Sequence, residues 1–280
     1  MTVKSDWGSY QKVLQTVSPV TVYGKVNHVV GMTIEACGID AFVGELCDIY
    51  TRGSDQPVKA EVIGFRDDCI VLMLLGDVQG IGPGSRITGL KRKAMVALGE
   101  GMLGRVVDGL GNPIDGKGPF CVEKGGSLYA DPINPLQRGR IKQPLDVGIK
   151  AINSLLTCGK GQRMGIFSGS GVGKSVLLGM IARNTTADVN VIALIGERGR
   201  EVREFIEKDL GEEGLQRSVV VVATSEQSPL LRMKGALVAT TIAEYFRDKG
   251  NDVLFMMDSI TRFAMALSLI HISEPTRPSP

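Results

Sequence analysis

The stretch Gly169-Ser170-Gly171-Val172-Gly173-Lys174-Ser175 constrains this chain more than any other feature. Holding a phosphate takes many donors at close range. A glycine-rich turn running into a helix supplies backbone N–H groups together with the positive end of the helix dipole. Such a loop functions between a strand and a helix, which calls for an α/β fold with a parallel sheet. The flanks agree: Gln162 to Ser168 reads as the leading strand, and Ser175 to Arg183, with apolar Val176, Leu177, Met180 and Ile181, as the following helix. The strict G-x-x-x-x-G-K-[ST] pattern has glycine where this chain has Ser168, but the order of strand, loop and helix is the one the mechanism requires. In this reading Ser168, Gly169, Ser170, Gly171, Val172 and Gly173 cradle a nucleoside triphosphate, ATP with Mg2+. Lys174 reaches the β- and γ-phosphates and Ser175 ligates the metal.

From Pro144 onward, strands alternate with helix-length segments, as in βαβ units. Val189 to Ile195 and the four valines Val219 to Val222 read as buried strands. Glu201 to Leu210 places Val202, Phe205, Ile206 and Leu210 on one helical face. A further helix starts at Ser228, a good N-cap followed by Pro229, and runs to about Asp248. Val253 to Met257 is one more strand, and it ends at Asp258. That puts a carboxylate at the C-terminal edge of the sheet, where open parallel sheets bind ligands and where it can hold the water shell of Mg2+. Glu197 closes the strand Val191 to Gly196 at the same edge. There it can orient and deprotonate the water that attacks the γ-phosphate, or simply complement a helix dipole. Arg198 either contacts the γ-phosphate or pairs with Glu197, and the residues leave both open.

Ahead of this region, Pro19 to Arg86 is a series of short apolar or alternating runs, such as Val20 to Tyr23 and Cys69 to Met73, which reads as a small β-barrel or sandwich. Gly76 to Gly126 is glycine-rich and reads as a turn-rich connector. Lys91-Arg92-Lys93 within it reads as solvated surface, and Met95, Met102 and the other methionines as core filler. With 32 basic and 30 acidic residues the net charge is +2, which advertises neither nucleic acid nor an anionic membrane as a partner. Five scattered cysteines without a C-x-x-C pair suit a reducing, cytoplasmic setting better than a disulfide framework. The lone His28 and His271 have no neighbours for structural zinc. Met1 to Tyr10 lacks a signal-peptide pattern, and no apolar run approaches the length of a membrane helix.

Three segments together carry a family resemblance: Ser168 to Ser175, Gly196-Glu197-Arg198-Gly199-Arg200-Glu201-Val202, and Asp258-Ser259-Ile260-Thr261-Arg262-Phe263-Ala264. The combination resembles the ATPases of flagellar and type III protein export, relatives of the catalytic subunits of rotary ATP synthases. The likeness extends through Leu103 to Gly111, Asn134-Pro135-Leu136 and Leu156 to Arg163, and so over nearly all of residues 18 to 266. It implies an N-terminal segment (1–17), a β-barrel domain (18–90) and a RecA-like, P-loop ATP-binding domain (91–266). By the same resemblance a serine at the head of the loop is ordinary, Glu197 is the catalytic glutamate, Lys174 the phosphate lysine, Ser175 the Mg2+ ligand and Asp258 the Walker B carboxylate. It also implies a homo-hexameric ring with active sites between subunits. Such a ring works with export-apparatus proteins, a stator-like regulator and chaperone–substrate complexes, in the cytoplasm and peripheral to the membrane through those partners.

Two neighbouring families fit less well. Gly199 stands where synthase catalytic subunits usually have threonine, and the RNA-translocating hexameric helicases differ after Gly-Glu-Arg and carry a basic, aromatic RNA-binding domain, whereas aromatics make up 5% of this chain. A nucleotide-binding scaffold without turnover is the alternative of another class. The final segment, Leu267 to Pro280, departs from the family and resembles the translation of a sequencing-library adapter, so it is expected to be non-native. The resemblance places the arginine finger and most of the adenine pocket outside this chain.

Overall fold

The computed structural model describes residues 22–51, 56–76, 78–130, 133–169 and 171–273, the last three by backbone alone. The expected N-terminal segment 1–17, the early part of the run Val20 to Tyr23, and Ser170 lie outside these residues. The chain divides into two compact units, up to Arg92 and from Lys93.

The first unit is a closed six-stranded barrel with strands β1 (Gly24–Val30), β2 (Thr33–Cys37), β3 (Glu45–Tyr50), β4 (Val58–Arg66), β5 (Cys69–Leu74) and β6 (Arg86–Lys93), arranged in the order β1-β2-β5-β4-β3-β6. Alternation along β1 to β3 turns Val26, Ile34, Ala36, Cys47 and Ile49 inward, where they meet Ala60, Val62, Ile70, Leu72, Leu74 and Ile87. Glu45 is also fully buried. Its Oε1 accepts from the Lys91 N–H at 2.8 Å, and Oε2 from the Phe42 N–H at 3.3 Å, so the carboxylate ties the loop before β3 to β6. Lys91-Arg92-Lys93 forms the exposed end of β6, not a linker. Cys37 and Cys69 face one another across β2 and β5, 4.4 Å apart at Cα, and form a disulfide, contrary to the reading of the cysteines as unpaired. The cause is strand register: directly opposed residues of a non-hydrogen-bonded antiparallel pair come this close.

In the second unit, four parallel strands stand in the order β12-β10-β11-β8, with β8 (Arg105–Asp108), β10 (Val189–Ile195), β11 (Ser218–Ala223) and β12 (Val253–Met257). β7 (Met95–Leu98) and β9 (Lys124–Ser127) form an antiparallel ribbon. The supposed connector Gly76 to Gly126 therefore supplies β6, β7 and β9 and an edge of the parallel sheet. β8 is only four residues long, and its Arg-Val-Val-Asp text becomes a strand by pairing with β11, which lies more than a hundred residues on. Arg105 in β8 grips Asp115 through two hydrogen bonds of 2.6 and 2.8 Å, an almost fully buried ion pair that closes the loop behind the strand. Met102 is buried as expected, but Met95 is 58% exposed on the outer face of the ribbon.

Helices α1 (Lys150–Leu155), α2 (Lys174–Asn184), α3 (Gly199–Glu204), α4 (Gly211–Gln216), α5 (Pro229–Asp248) and α6 (Ile260–Ser273) cover the sheet. Between α3 and α4 the chain forms a π-helical turn, Phe205–Leu210, where one continuous helix was expected. The extra residue in the turn keeps Val202, Phe205 and Leu210 buried together while the Asp209 carbonyl presses on Gly179 of α2, where a Cβ would stand 2.3 Å from it. α5 starts as its residues dictate: the Ser228 hydroxyl accepts from the Leu231 N–H at 3.2 Å and Pro229 occupies the first turn. Gln162 to Ser168 does not form the expected strand. Among the described residues no ladder partner pairs with it, and Phe167 is 97% exposed. A strand exists only where a ladder satisfies its backbone, and apolar side chains alone do not supply one.

Candidate active site

The site gathers at the C-terminal ends of β10 and β12 and the N-terminus of α2. Gly173 is the N-cap of α2, with φ at +93°, and Gly171 has φ at +77°. Nothing lies within 4 Å of where a Cβ would stand on either, so their left-handed backbone and not crowding calls for glycine at these two positions. Ser168, Gly169 and Val172 are exposed along it. Lys174, in the first turn of α2, reaches across to β12: its ammonium donates to the Asp258 carbonyl at 3.0 Å and lies 2.7 Å from Asp258 Oδ1. The Asp258 N–H in turn donates to the Ala193 carbonyl of β10 at 3.0 Å, fixing the strand end that carries it.

Asp258 and Glu197 are the carboxylates of the site whose side chains are largely buried, 6% and 11% exposed. Burial raises the Glu197 carboxyl first, and the hydrogen bond and negative charge of Asp258 push it further, to about 8. On Asp258 burial acts upward too, but the hydrogen bonds from Glu197 and Lys174 outweigh it and hold the group below its ordinary value. A carboxyl whose proton is held near neutral pH is suited to take a proton from water.

Arg198 does not pair with Glu197. Its side chain is 72% exposed and lies 3.7 Å from Glu201, at i,i+3 on α3. The partner of Glu197 is Arg262 in the first turn of α6, whose Nη1 is 3.1 Å from Glu197 Oε2 and donates to the Gly196 carbonyl. Reading the residues alone misses Arg262 as a site member, although it stands four positions after Asp258 in Asp-Ser-Ile-Thr-Arg. A cation one helical turn beyond a strand-end carboxylate was the available signal.

The donor set suits Mg2+. Asp258 offers a carboxylate oxygen across from the helix turn that carries the exposed Ser175, and among the described residues no three carboxylates, imidazoles or thiols form a closed metal cage. A small hard cation that keeps waters and takes phosphate oxygens fits such a half-open set.

The nucleotide-binding domain of the ATP synthase alpha/beta family matches residues 148–279, and the beta-barrel domain of that family matches residues 26–91. The chain is 55% identical over 248 residues to the flagellum-specific ATP synthase of Bacillus subtilis, covering 87% of this chain and 56% of that protein. It is 47% identical over 270 residues to the type 3 secretion system ATPase of Xanthomonas euvesicatoria, covering 95% and 61%. Among solved structures, it superposes on the assembled ATPase EscN in complex with its central stalk EscO, from the enteropathogenic E. coli type III secretion system. The TM-score is 0.82 at 44% identity, covering 90% of this chain and 62% of that one. The chain thus spans roughly three-fifths of the length of these relatives. With both of its units matched, this chain belongs to the ATP synthase alpha/beta family and is homologous to the flagellum-specific and type 3 secretion ATPases within it.

Proposed function

We propose that this chain is the barrel and nucleotide-binding part of an ATPase that hydrolyses Mg-ATP to drive protein export by a flagellar-type apparatus. The observation that carries the reading is the meeting of Lys174, Asp258 and Glu197 at one edge of the parallel sheet, beside a glycine loop whose Gly171 and Gly173 have left-handed backbone. The loop N–H groups and Lys174 bind the phosphates. As ATP enters, Lys174 exchanges Asp258 for phosphate oxygens, and Asp258 with Ser175 becomes available to hold Mg2+. Bound Mg2+ supplies neutralisation of charge on the phosphoryl oxygens. Glu197 orients the attacking water and accepts its proton, and Arg198, exposed at the start of α3, is free to reach the γ-phosphate.

The subunit works as a homo-hexameric ring in the cytoplasm. It is held at the inner face of the membrane by export-apparatus proteins and a stator-like regulator, and it receives chaperone–substrate complexes. Among the described residues no helix is long and apolar enough to cross a membrane. The 55% identity to one flagellum-specific relative is the ground for the flagellar branch, while other flagellum-specific relatives, at 43–47%, fall level with or below the type 3 secretion relative at 47%. The last barrel strand runs to Lys93, past the boundary expected at 90, and the ATP-binding part of this assignment follows it.

The test is nucleotide binding by this chain and turnover by the full-length protein. Lys174→Ala is expected to weaken binding of a fluorescent ATP analogue by about 10- to 100-fold, the equivalent of one or two charge-assisted hydrogen bonds. Unchanged affinity rejects the site. Glu197→Gln is expected to keep binding and lose hydrolysis in the full-length protein, and retained turnover rejects the base.

A further inference from the structure

We propose that Cys37 and Cys69 form a reversible modification site on the outside of the barrel, one that exchanges with low-molecular-weight thiols and disulfides. Strand register sets the two sulfurs in a row. Lys25 of β1 stands opposite Cys37 of β2, Cys37 opposite Cys69 of β5, and Cys69 opposite Arg66 of β4. These four strands are successive neighbours in the barrel and opposed residues share a face, so a cation flanks the sulfur pair on either side. The face is the outer one. Ile34, Ala36, Ile70 and Leu72 alternate inward, while Lys25 and Arg66 are exposed and both cysteines half-buried. The acidic groups nearby are Glu35, which pairs with Arg66, and Asp67 and Asp68 in the turn before Cys69. A bulge adds a donor. The register runs from Val26 opposite Ala36 to His28 opposite Glu35, leaving Asn27 unpaired, and its Nδ2 donates to Cys37 Sγ at 2.8 Å. Cys37 is therefore the sulfur prepared to leave as thiolate when Cys69 is attacked. Cys47, by contrast, is fully buried on the inner face, where burial pushes its thiol up to about 12 and leaves it inert.

The exchange balances in two steps. A small thiolate attacks Cys69 Sγ, forming a mixed disulfide as the Cys37–Cys69 bond breaks and its electron pair leaves on Cys37 Sγ. A second small thiolate attacks the mixed disulfide, releasing the small-molecule disulfide and Cys69 as thiolate. The protein gains two electrons and, on protonation of both sulfurs, two protons, while two small thiols are oxidised to one disulfide. With the small disulfide as oxidant the same steps run backward and close the bond. The ladder from Thr33–Cys37 to Cys69–Met73 keeps the cysteines opposed in either state, so neither direction requires the barrel to unfold. Protein disulfides in a thiol-rich compartment, such as the cytoplasm of the reading above, are of this exchangeable kind.

The test uses this chain under native conditions, with reduced and oxidised glutathione as probes and acid quench, alkylation and mass mapping as the readout. Both sulfurs are expected to pass together from disulfide to dithiol and back as the glutathione ratio is stepped, with a transient adduct on Cys69. The barrel melting transition is expected to fall by on the order of 10–30 °C in the dithiol form. Asn27→Ala is expected to slow reduction about 3- to 10-fold by removing the donor to the leaving sulfur. Lys25→Gln is expected to slow it about 3-fold by removing a cation beside the reacting anions, an effect that high salt erases. Glutathione labelling of the exposed, free Cys121 serves as the internal standard and is expected to stay constant in both variants. Reduction that occurs only once the barrel unfolds, a dithiol that does not close in oxidised glutathione, or an adduct on Cys37 in place of Cys69 overturns the proposal. So do unchanged rates in both variants, whose substitutions lie at exposed positions and whose folding the barrel transition reports. Failure of Lys174→Ala to weaken nucleotide binding removes the function proposed above and leaves the exchange site standing, since its residues all belong to the barrel.

Discussion

The barrel and the nucleotide-binding unit solve the same problem, pairing the backbone of every strand, in opposite ways. In the barrel each of six strands has two neighbours, and the sheet closes on itself within about seventy residues of chain. In the second unit the sheet stays open. β12, the strand that leads into Asp258, is its edge, with Phe255 38% exposed. Closure removes edges and leaves a barrel with nowhere to put a ligand between strand ends. An open parallel sheet leaves strand ends, loops and a helix N-terminus facing one space, and chemistry collects there. The chemistry of this chain lies on the less completed of its two units.

If the two units are separate in their energetics, perturbing either one must leave the other's unfolding transition in place. The largest effect is expected from Phe246→Ala. Phe246, 1% exposed on α5, packs edge-on to Tyr245, and its loss is expected to cost about 3–5 kcal/mol in the second unit. Calorimetry should show one transition falling and the barrel transition unmoved, and a joint fall breaks the comparison. Next is Cys69→Ser, or reduction. The disulfide closes a sequence separation of 32 residues, so its loss is expected to lower barrel stability by about 3–4 kcal/mol while nucleotide binding by the second unit stays intact.

A smaller effect distinguishes the units by pH. The folded pKa of Glu197, about 8, lies above its unfolded value, so folding retains a proton. This stabilises the fold fully at pH values below the ordinary glutamate range and is lost progressively as pH rises towards 8. Asp258, shifted downward, acts only at pH values below the ordinary aspartate range, where its contribution is lost as the pH falls. The melting temperature of the second unit is thus expected to decline between about pH 4.5 and 8, and Glu197→Gln to flatten that decline. A Glu197→Gln profile parallel to the parent's removes the assignment. The smallest effect is expected from Ser228→Ala, which deletes the cap of α5 at about 1 kcal/mol and sharpens the measure of how far that helix stabilises its unit.

Elements whose signals are local can be read from the residues alone. The cap and proline at Ser228-Pro229, the apolar runs of β10, β11 and β12, and the start of α2 at Lys174 follow from residues within a few positions of one another. The same logic puts Asp258 and Glu197 at strand ends, and in the folded chain they meet. Arg198 is adjacent to Glu197 in the chain, yet helix geometry turns it toward Glu201, while Arg262, 65 positions away, takes the place beside Glu197. The strand expected at Gln162 to Ser168 has the right apolar text and finds no ladder, whereas Arg105 to Asp108 has little text and finds one in β11.

By itself, then, the sequence determined where phosphate chemistry could occur: a loop whose glycines permit left-handed backbone, a lysine behind it and carboxylates at the ends of buried strands. These depend on φ preferences, caps and periodicity, which are properties of neighbours along the chain. Tertiary structure alone decided which strands exist, that Cys37 meets Cys69, and that Arg262 rather than Arg198 holds Glu197. Those outcomes depend on which distant groups arrive to satisfy a hydrogen bond or a charge, and no local preference encodes an arrival.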